Sequence, residues 1–161
     1  ELAKVETPVL DVLLDIVRTY SLSLDSKVIL LQPTSPFRTI SNYLDFVSLT
    51  RQLEDNTSAF SVYRVEDNHP ARMYSIQGKH LTSILPSQCA MQSQELSACY
   101  HRNGCFYAFN VYDLVNGSLY SESLLPFEMR FESSVNVDTI LDFKIAQSLY
   151  PQFIDGTLLD L

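Results

Sequence analysis

Apolar residues recur at helical spacing in three parts of the chain. The predicted helices span residues 7–20, 39–53 and 139–149. Thr7 offers a capping hydroxyl to the first helix, and Pro8 suits its first helical position. The last helix is expected to end near Tyr150, because Pro151 disfavours helical geometry in the residue before it. The residues of the second helix that are predicted to face inward are Ile40, Leu44 and Val47.

Short apolar or alternating runs between these helices predict strands. The predicted strands are residues 27–32, 58–65, 104–110, 127–131 and 135–137. Two further runs, 73–77 and 80–84, flank Gly78-Lys79 and predict a β-hairpin. A short helix is expected at 111–115, and the Gln/Ser-rich stretch 87–97 is expected to be a loop.

A strand, a helix and a strand follow one another with short links between residues 27 and 65, which predicts a right-handed parallel crossover. The sequence thus predicts an α/β domain over residues 1–150 with a mainly parallel sheet. The hairpin and the loop, at about 66–100, form an excursion from it, and 151–161 form a tail. In such sheets ligands bind beyond the carboxyl ends of the strands.

Composition and charge narrow the class of protein. The 161 residues are 46% hydrophobic with a net charge of −8, which suits a soluble globular domain and argues against a broad nucleic-acid surface. No apolar run is long enough to predict a membrane span. The three cysteines have no CxxC spacing, which indicates buried thiols in a reducing, cytoplasmic setting. Cys99, His101 and Cys105 lie close together but lack the paired spacing of a zinc site.

The stretch VILLQPTSPFRT, residues 28–39, places polar groups directly after an apolar strand. Gln32 can donate and accept hydrogen bonds, and two prolines restrict the loop that follows it. Gln32 suits a ligand contact, or the satisfaction of loop backbone groups. Arg38 could form a fork around an anion, or it could be a surface arginine at the start of the helix.

Three further positions can each be interpreted in two ways. Asn103-Gly104 is typical of a turn, because both residues tolerate a positive φ. Tyr107 lies in an otherwise apolar strand, where core packing explains it. Asp138, two residues after Asn136, is the best metal candidate, and capping of the last helix is the alternative. No Ser or Cys partner pattern accompanies the histidines, so no nucleophilic triad is predicted.

Four stretches together resemble the acylneuraminate cytidylyltransferases, which make CMP-activated sialic acids and related sugars. LLQPTSPFRT resembles the family signature, and NHPARM (68–73) resembles the stretch that leads into the dimerisation hairpin. YHRNGCFYAFN (100–110) resembles the Asn-Gly-x-x-Tyr strand, and SVNVDTILDF (134–143) resembles the Asp-x-Asp-Thr segment. The four occur in the family's order over about residues 1–150.

The resemblance implies a fold and a reaction. The fold is a three-layer, nucleotide-diphospho-sugar transferase-like domain that forms a homodimer through the hairpin. The reaction transfers CMP from CTP to a nine-carbon sugar acid and releases pyrophosphate, with Mg²⁺ held at Asp138 and Asn136. The residues implied to bind substrate are Gln32, Arg38, Asn103, Tyr107, Arg72 and Tyr120. Arg72 would reach the partner subunit's sugar carboxylate, and Tyr120 matches an aromatic lent by the partner.

The sequence also departs from the family pattern. The Gly-rich basic loop that binds the triphosphate has no counterpart, so the chain is expected to be a fragment that is inactive alone. A serine becomes Val9, the first aspartate of the metal pair becomes Asn136, and an expected basic residue becomes Ser93. Asn is a poorer Mg²⁺ ligand than Asp. The alternative hypothesis is therefore a non-catalytic dimerising or binding module that retains the fold.

Overall fold

A four-stranded mixed sheet forms the centre of the molecule in the computed structural model, which describes residues 7–159. The expectations for residues 1–6 and 160–161 lie outside this range. The strands of the central sheet and of a separate hairpin are β1 (Lys27–Leu30), β2 (Thr57–Val65), β3 (Tyr74–Gln77), β4 (His80–Ser83), β5 (Cys99–Asn110) and β6 (Ser123–Glu128). The central sheet has the order β1-β5-β2-β6, and β3 pairs with β4.

The prediction of a mainly parallel sheet was wrong. β5 pairs antiparallel with both β1 and β2, and only β2 and β6 run parallel. β1 and β2 do point the same way, as the crossover requires, but β5 lies between them. Pairing with a strand about 40 residues further along the chain cannot be seen in local periodicity. The α/β class stands, while the nucleotide-diphospho-sugar transferase arrangement remains a prediction.

Four α-helices accompany the sheet: α1 (Val9–Thr19), α2 (Ile40–Thr50), α3 (Val111–Val115) and α4 (Ile140–Ile154). α2 and α4 each begin with a threonine cap, Thr39 and Thr139, whose hydroxyl accepts the backbone N–H of the residue three positions later. α1 begins differently from the prediction, since Pro8 is its cap residue and no side chain caps it. Among the described residues, no helix combines the length and apolar character needed to cross a membrane.

The predicted inward face of α2 was wrong for Ile40 and Leu44, while Val47 is half-buried. Ile40 and Leu44 are 79% and 58% exposed, whereas Phe46 and Thr50 are buried. Phe46 stacks on Phe106 of β5, with ring centroids 4.9 Å apart. This aromatic pair, and not the aliphatic spacing, sets the rotation of the helix.

Other elements also differ from their predicted bounds, and β5 begins at Cys99, five residues before its predicted start at Gly104. α4 continues to Ile154 through Pro151, so it also crosses the predicted boundary between the domain and the tail. The last sheet strand is Ser123–Glu128 in place of 127–131, and residues 135–137 form no strand. The hairpin at Gly78-Lys79, the short helix α3 and the largely irregular 87–97 loop were predicted correctly.

Apolar clusters lie on both faces of the sheet. Successive residues of β5 point to opposite faces, so Phe106 and Ala108 join a cluster with α2, while Phe109 joins one with α1 and α3. A third cluster joins Phe37, Ala146 and Leu158, which is 2% exposed and secures the end of the described chain. The loop after β1 is therefore held between the sheet and α4.

A bulge interrupts β5 where it crosses β2. Phe60 lies opposite Tyr107 and Val62 opposite Arg102, so the single residue Ser61 faces residues 103–106. Asn103, only 3% exposed, occupies the bulge. Its Oδ1 accepts hydrogen bonds from the Ser61 hydroxyl (2.5 Å) and the Cys105 backbone N–H (3.1 Å). Its Nδ2 donates to the Ser134 hydroxyl at 2.8 Å.

Replacement of Asn103 by alanine should destabilise the protein by about 2–4 kcal/mol, because buried donors and acceptors on three neighbours lose their partner. The matched control is Asn68→Ala, since Asn68 is exposed and its side chain forms no hydrogen bond within the described residues. We expect that control to stay within about 0.5 kcal/mol of the wild type. Urea unfolding gives both free energies, and equal effects of the two variants would contradict the structural role of Asn103.

Candidate functional site

Three of the four stretches that suggested a family meet at the β5 bulge. Arg38 Nη1 donates to the carbonyl oxygens of Gln32 (2.6 Å) and Cys105 (3.1 Å), which ties the loop after β1 to β5. The Val137 N–H donates to the Thr34 carbonyl at 2.8 Å, which brings in the segment before α4. Residues far apart in sequence thus form one continuous region.

Gly104 gives the Gln32 side chain its position. The φ angle of Gly104 is +78°, a conformation that side-chain-bearing residues adopt with strain. A Cβ atom on Gly104 would lie 2.6 Å from Gln32 Oε1, so the glycine also provides the space that this amide occupies. The Gln32 amide forms no hydrogen bond to any described residue, which leaves its donors and acceptor available to a ligand.

A cavity of about 150 Å³ opens beside the Gln32 amide. Its walls combine apolar side chains with four polar or aromatic hydroxyl-bearing ones. The lining residues are Val9, Leu30, Gln32, Phe60, Arg102, Tyr107, Phe109, Leu119 and Tyr120. Three of the predicted substrate-binding residues, Gln32, Tyr107 and Tyr120, therefore lie at one cavity within a single chain.

Tyr107 projects its phenol toward this cavity. Burial raises the pKa of Tyr107, although the nearby Arg102 acts in the opposite direction. The phenol is therefore protonated at neutral pH and can donate a hydrogen bond. Its ring packs edge-on against Phe60, with centroids 5.2 Å apart, so Tyr107 also has the core-packing role that the sequence suggested.

Arg102 is the residue of this cavity that the sequence analysis missed. Its Nη1 donates to the Tyr120 hydroxyl at 2.9 Å, and its guanidinium carbon lies 5.6 Å from the centroid of the Tyr107 ring. The hydrogen bond with Tyr120 raises the pKa of Arg102, which stays charged. The available signal was its position directly before Asn103-Gly104, in a stretch already considered functional.

A buried polar chain anchors the segment that carries Tyr120. The Ser121 hydroxyl bonds both the Asp113 carboxylate and the Ser58 hydroxyl, the latter at 2.6 Å. Asp113 lies on α3 and Ser58 on β2, so the 118–121 turn is fixed to two elements. Tyr120 contacts Arg102 and Phe60 of its own chain, and its expected role in a partner subunit's site stays a prediction.

Two predicted ligand contacts use their polar groups inside the protein. Both polar ends of Asn103 are hydrogen-bonded in the bulge, and Arg38 Nη1 is shared between two backbone carbonyls. The Arg38 guanidinium also lies 5.8 Å from the centroid of the Phe106 ring. These contacts favour positioning roles for both residues, and direct contact with a substrate remains a prediction.

The NHPARM stretch lies apart from the bulge. Arg72 donates to the carbonyl oxygens of Cys89 (2.8 Å) and Met91 (2.5 Å), so it organises the irregular loop after the hairpin. His69 is buried, and its Nδ1 accepts the Ala71 N–H. Arg72 and Ser93 line a separate polar cavity of about 320 Å³. A role for Arg72 in a partner's site stays a prediction.

Asn136 and Asp138 lie together just before α4. Asn136 Nδ2 donates to Asp138 Oδ2 at 2.5 Å, and the buried Asn136 Oδ1 has no hydrogen-bond partner in the described part of the chain. Thr139, and not Asp138, caps the helix, so the capping alternative for Asp138 is wrong. The amide nitrogen of Asn136, and not its oxygen, faces the Asp138 carboxylate, so joint coordination of Mg²⁺ by the two oxygens requires rotation of the amide, with phosphates and water completing the shell. Over residues 7–159, no group of three or more His, Cys, Asp or Glu side chains could hold a metal.

Comparison with known proteins gives one informative match. The chain is 29% identical over 119 residues to an N-acylneuraminate cytidylyltransferase of Escherichia coli O18:K1:H7 (strain RS218 / NMEC). The match covers 73% of this chain and 28% of that protein. No protein-family model matches the chain. The chain is thus similar to a nucleotidyltransferase, and it spans less than a third of that relative's length.

Replacement of Gly104 by alanine should displace the Gln32 amide. The matched control is Gly117→Ala, because Gly117 has a similar φ of +84° but no atom within 4 Å of the added Cβ. Both variants should lose about 1–2 kcal/mol of stability from backbone strain. Only Gly104→Ala should shift the side-chain amide resonance of Gln32 in a ¹H–¹⁵N NMR spectrum. An unshifted resonance in Gly104→Ala would contradict the close contact.

Proposed function

We propose that the protein carrying this chain transfers CMP from CTP to a nonulosonic acid and releases pyrophosphate. The convergence of three family-like stretches on the β5 bulge carries this proposal, because it gathers Gln32, Tyr107 and Arg102 at one cavity. The similarity to an N-acylneuraminate cytidylyltransferase supports the same chemistry.

In this proposal the acid substrate binds in the 150 Å³ cavity. The Gln32 amide contacts its polar groups, and the Tyr107 phenol donates to it. Arg38 and Asn103 act as positioning residues that hold the loop and the bulge. Asp138, together with the Asn136 oxygen after rotation of its amide, would hold Mg²⁺, which would supply positive charge to the phosphates of CTP. The protein's contribution is therefore mainly orientation and electrostatic stabilisation.

The activity test uses the full-length gene product with CTP, Mg²⁺ and N-acetylneuraminic acid. We expect a CMP-sugar in a ³¹P NMR spectrum and one equivalent of pyrophosphate. The competing hypothesis of a non-catalytic binding module predicts no product and no Mg²⁺-dependent binding of CTP. Substitution of Asp138 by asparagine should remove the dependence of CTP binding on Mg²⁺, as measured by calorimetry.

Replacement of Gln32 by alanine should lower kcat/KM by about 10- to 100-fold, the effect of losing one or two substrate hydrogen bonds. The free energy of unfolding should change by less than about 0.5 kcal/mol, since the Gln32 amide bonds no described residue. Gln152→Ala, at an exposed position of α4, is the control and should alter neither quantity. Loss of stability with normal turnover would mean that Gln32 serves the loop alone.

We further propose that the β3–β4 hairpin pairs two copies of the protein. Directly opposed residues of an antiparallel pair share a face, and Ile76 lies opposite Leu81. Their side chains are 76% and 68% exposed, and Tyr74 on the same face is 50% exposed. The other face carries polar residues such as Gln77 and His80. An exposed apolar face of this kind marks an interaction surface.

Substitution of Ile76 by glutamate should weaken the dimer at least tenfold, because a charge would be buried in the interface. Gln77→Glu adds a negative charge one residue away, on the opposite face of the hairpin, and should leave the dimer intact. Size-exclusion chromatography with light scattering over a concentration series measures both dissociation constants. A monomeric wild type, or equal effects of the two substitutions, would overturn this assignment.

A further inference from the structure

The arginines of this chain differ in how much of their hydrogen-bonding capacity is already in use. Arg38 donates to two backbone carbonyls through Nη1, and Arg72 donates to two through separate nitrogens. Arg102 donates to the Tyr120 hydroxyl alone within the described residues. A guanidinium has five N–H donors, so most of those of Arg102 remain available.

The position of Arg102 is fixed before any ligand arrives. The Tyr107 ring supports its guanidinium at 5.6 Å, and the Tyr120 hydroxyl holds one nitrogen. Tyr120 is in turn next to Ser121, which is bonded to Ser58 and Asp113. A cation held in this way loses little conformational freedom when it binds an anion.

The cavity suits a carboxylate better than a polyphosphate. Arg102 is the one charged residue among the described residues that line it, and its volume is about 150 Å³. One guanidinium balances one carboxylate and matches its two oxygens. A triphosphate carries several negative charges and would need further cations or backbone N–H groups. The apolar wall of Leu30, Phe60 and Phe109 provides none.

We propose that Arg102 binds the carboxylate of the sugar acid and thereby determines selectivity for acids over neutral sugars. This inference rests on the proposed function for the identity of the substrate. The resemblance led us to expect a basic residue at position 93, but Ser93 stands there and lines the other cavity. Arg102 supplies the missing cation from within the same chain as Gln32 and Tyr107.

The test measures binding, independently of turnover, with the full-length gene product. The probes are N-acetylneuraminic acid and its C1 methyl ester, which differ in the negative charge. We expect the wild type to bind the acid at least tenfold more tightly than the ester by calorimetry. Arg102→Gln should lose this preference through a tenfold or greater loss of affinity for the acid, while its affinity for CTP changes less than twofold.

Two further variants keep the result interpretable. Arg51→Gln makes the same change at an exposed position at the end of α2 and should behave as the wild type. Tyr120→Phe removes the hydroxyl that orients Arg102 but keeps the ring, and should weaken binding of the acid several-fold. If Arg102→Gln failed to fold, Tyr120→Phe would serve as the test, and the measured quantity would again be the ratio of the affinities for the acid and the ester.

The outcomes separate this inference from the proposed function. An undiminished preference for the acid in Arg102→Gln, or a wild type that does not distinguish acid from ester, would overturn the inference even if CMP transfer is observed. Arg102-dependent binding of the acid without any CMP transfer would support the inference and reject the proposed activity. Loss of CTP affinity in Arg102→Gln would assign the cation to the nucleotide and also overturn the inference.

Discussion

The hydrogen bonds of the Asn103 side chain hold the candidate site together. A buried amide must satisfy a carbonyl oxygen and two N–H groups, and here its own strand and two distant segments supply the partners. The bond from Ser61 ties the bulge to β2, and the bond to Ser134 ties it to the segment that precedes α4. Because residues 103–106 bulge away from the regular ladder, Gly104 can face the loop after β1.

The position of the loop after β1 follows from that arrangement. Gly104 leaves room for Gln32, and the Cys105 carbonyl receives Arg38, which also holds the Gln32 carbonyl. Arg38 therefore holds the backbone of the loop at Gln32, and Gly104 provides the space for the Gln32 side chain. The arginines differ in their contacts. Arg38 and Arg72 each donate to two backbone carbonyls, whereas Arg102 donates to one hydroxyl within the described residues and retains capacity for an anion.

Local features of this fold were predictable from the sequence, and long-range pairing was not. The Gly78-Lys79 hairpin and the positions at which α2 and α4 begin depend on neighbours within a few residues, where turn and helix preferences act. The capping residues Thr39 and Thr139 were not predicted as caps, and the caps considered at Thr7 and Asp138 were wrong. The insertion of β5 between β1 and β2 depends on pairing across dozens of residues. The burial of Asn103 also depends on long-range contacts, because its partners Ser61 and Ser134 lie 42 and 31 residues away in sequence. An Asn-Gly pair alone therefore suggested a turn, while the structure uses it inside a strand.

Asn136 stands where the resembled family has an aspartate, and its position in the structure shows which part of the candidate site this difference affects. The Asn136–Asp138 pair shares no residue with the lining of the cavity that holds Gln32 and Arg102, and a backbone bond from Val137 to Thr34 links the two regions. In the proposed function, weaker metal affinity would therefore act on the nucleotide and leave recognition of the acid intact. The contacts that orient the Arg102 guanidinium come from Tyr107 and Tyr120, and not from the segment that carries Asn136. An amide in place of a carboxylate at position 136 is therefore compatible with an intact acid site in the proposed function.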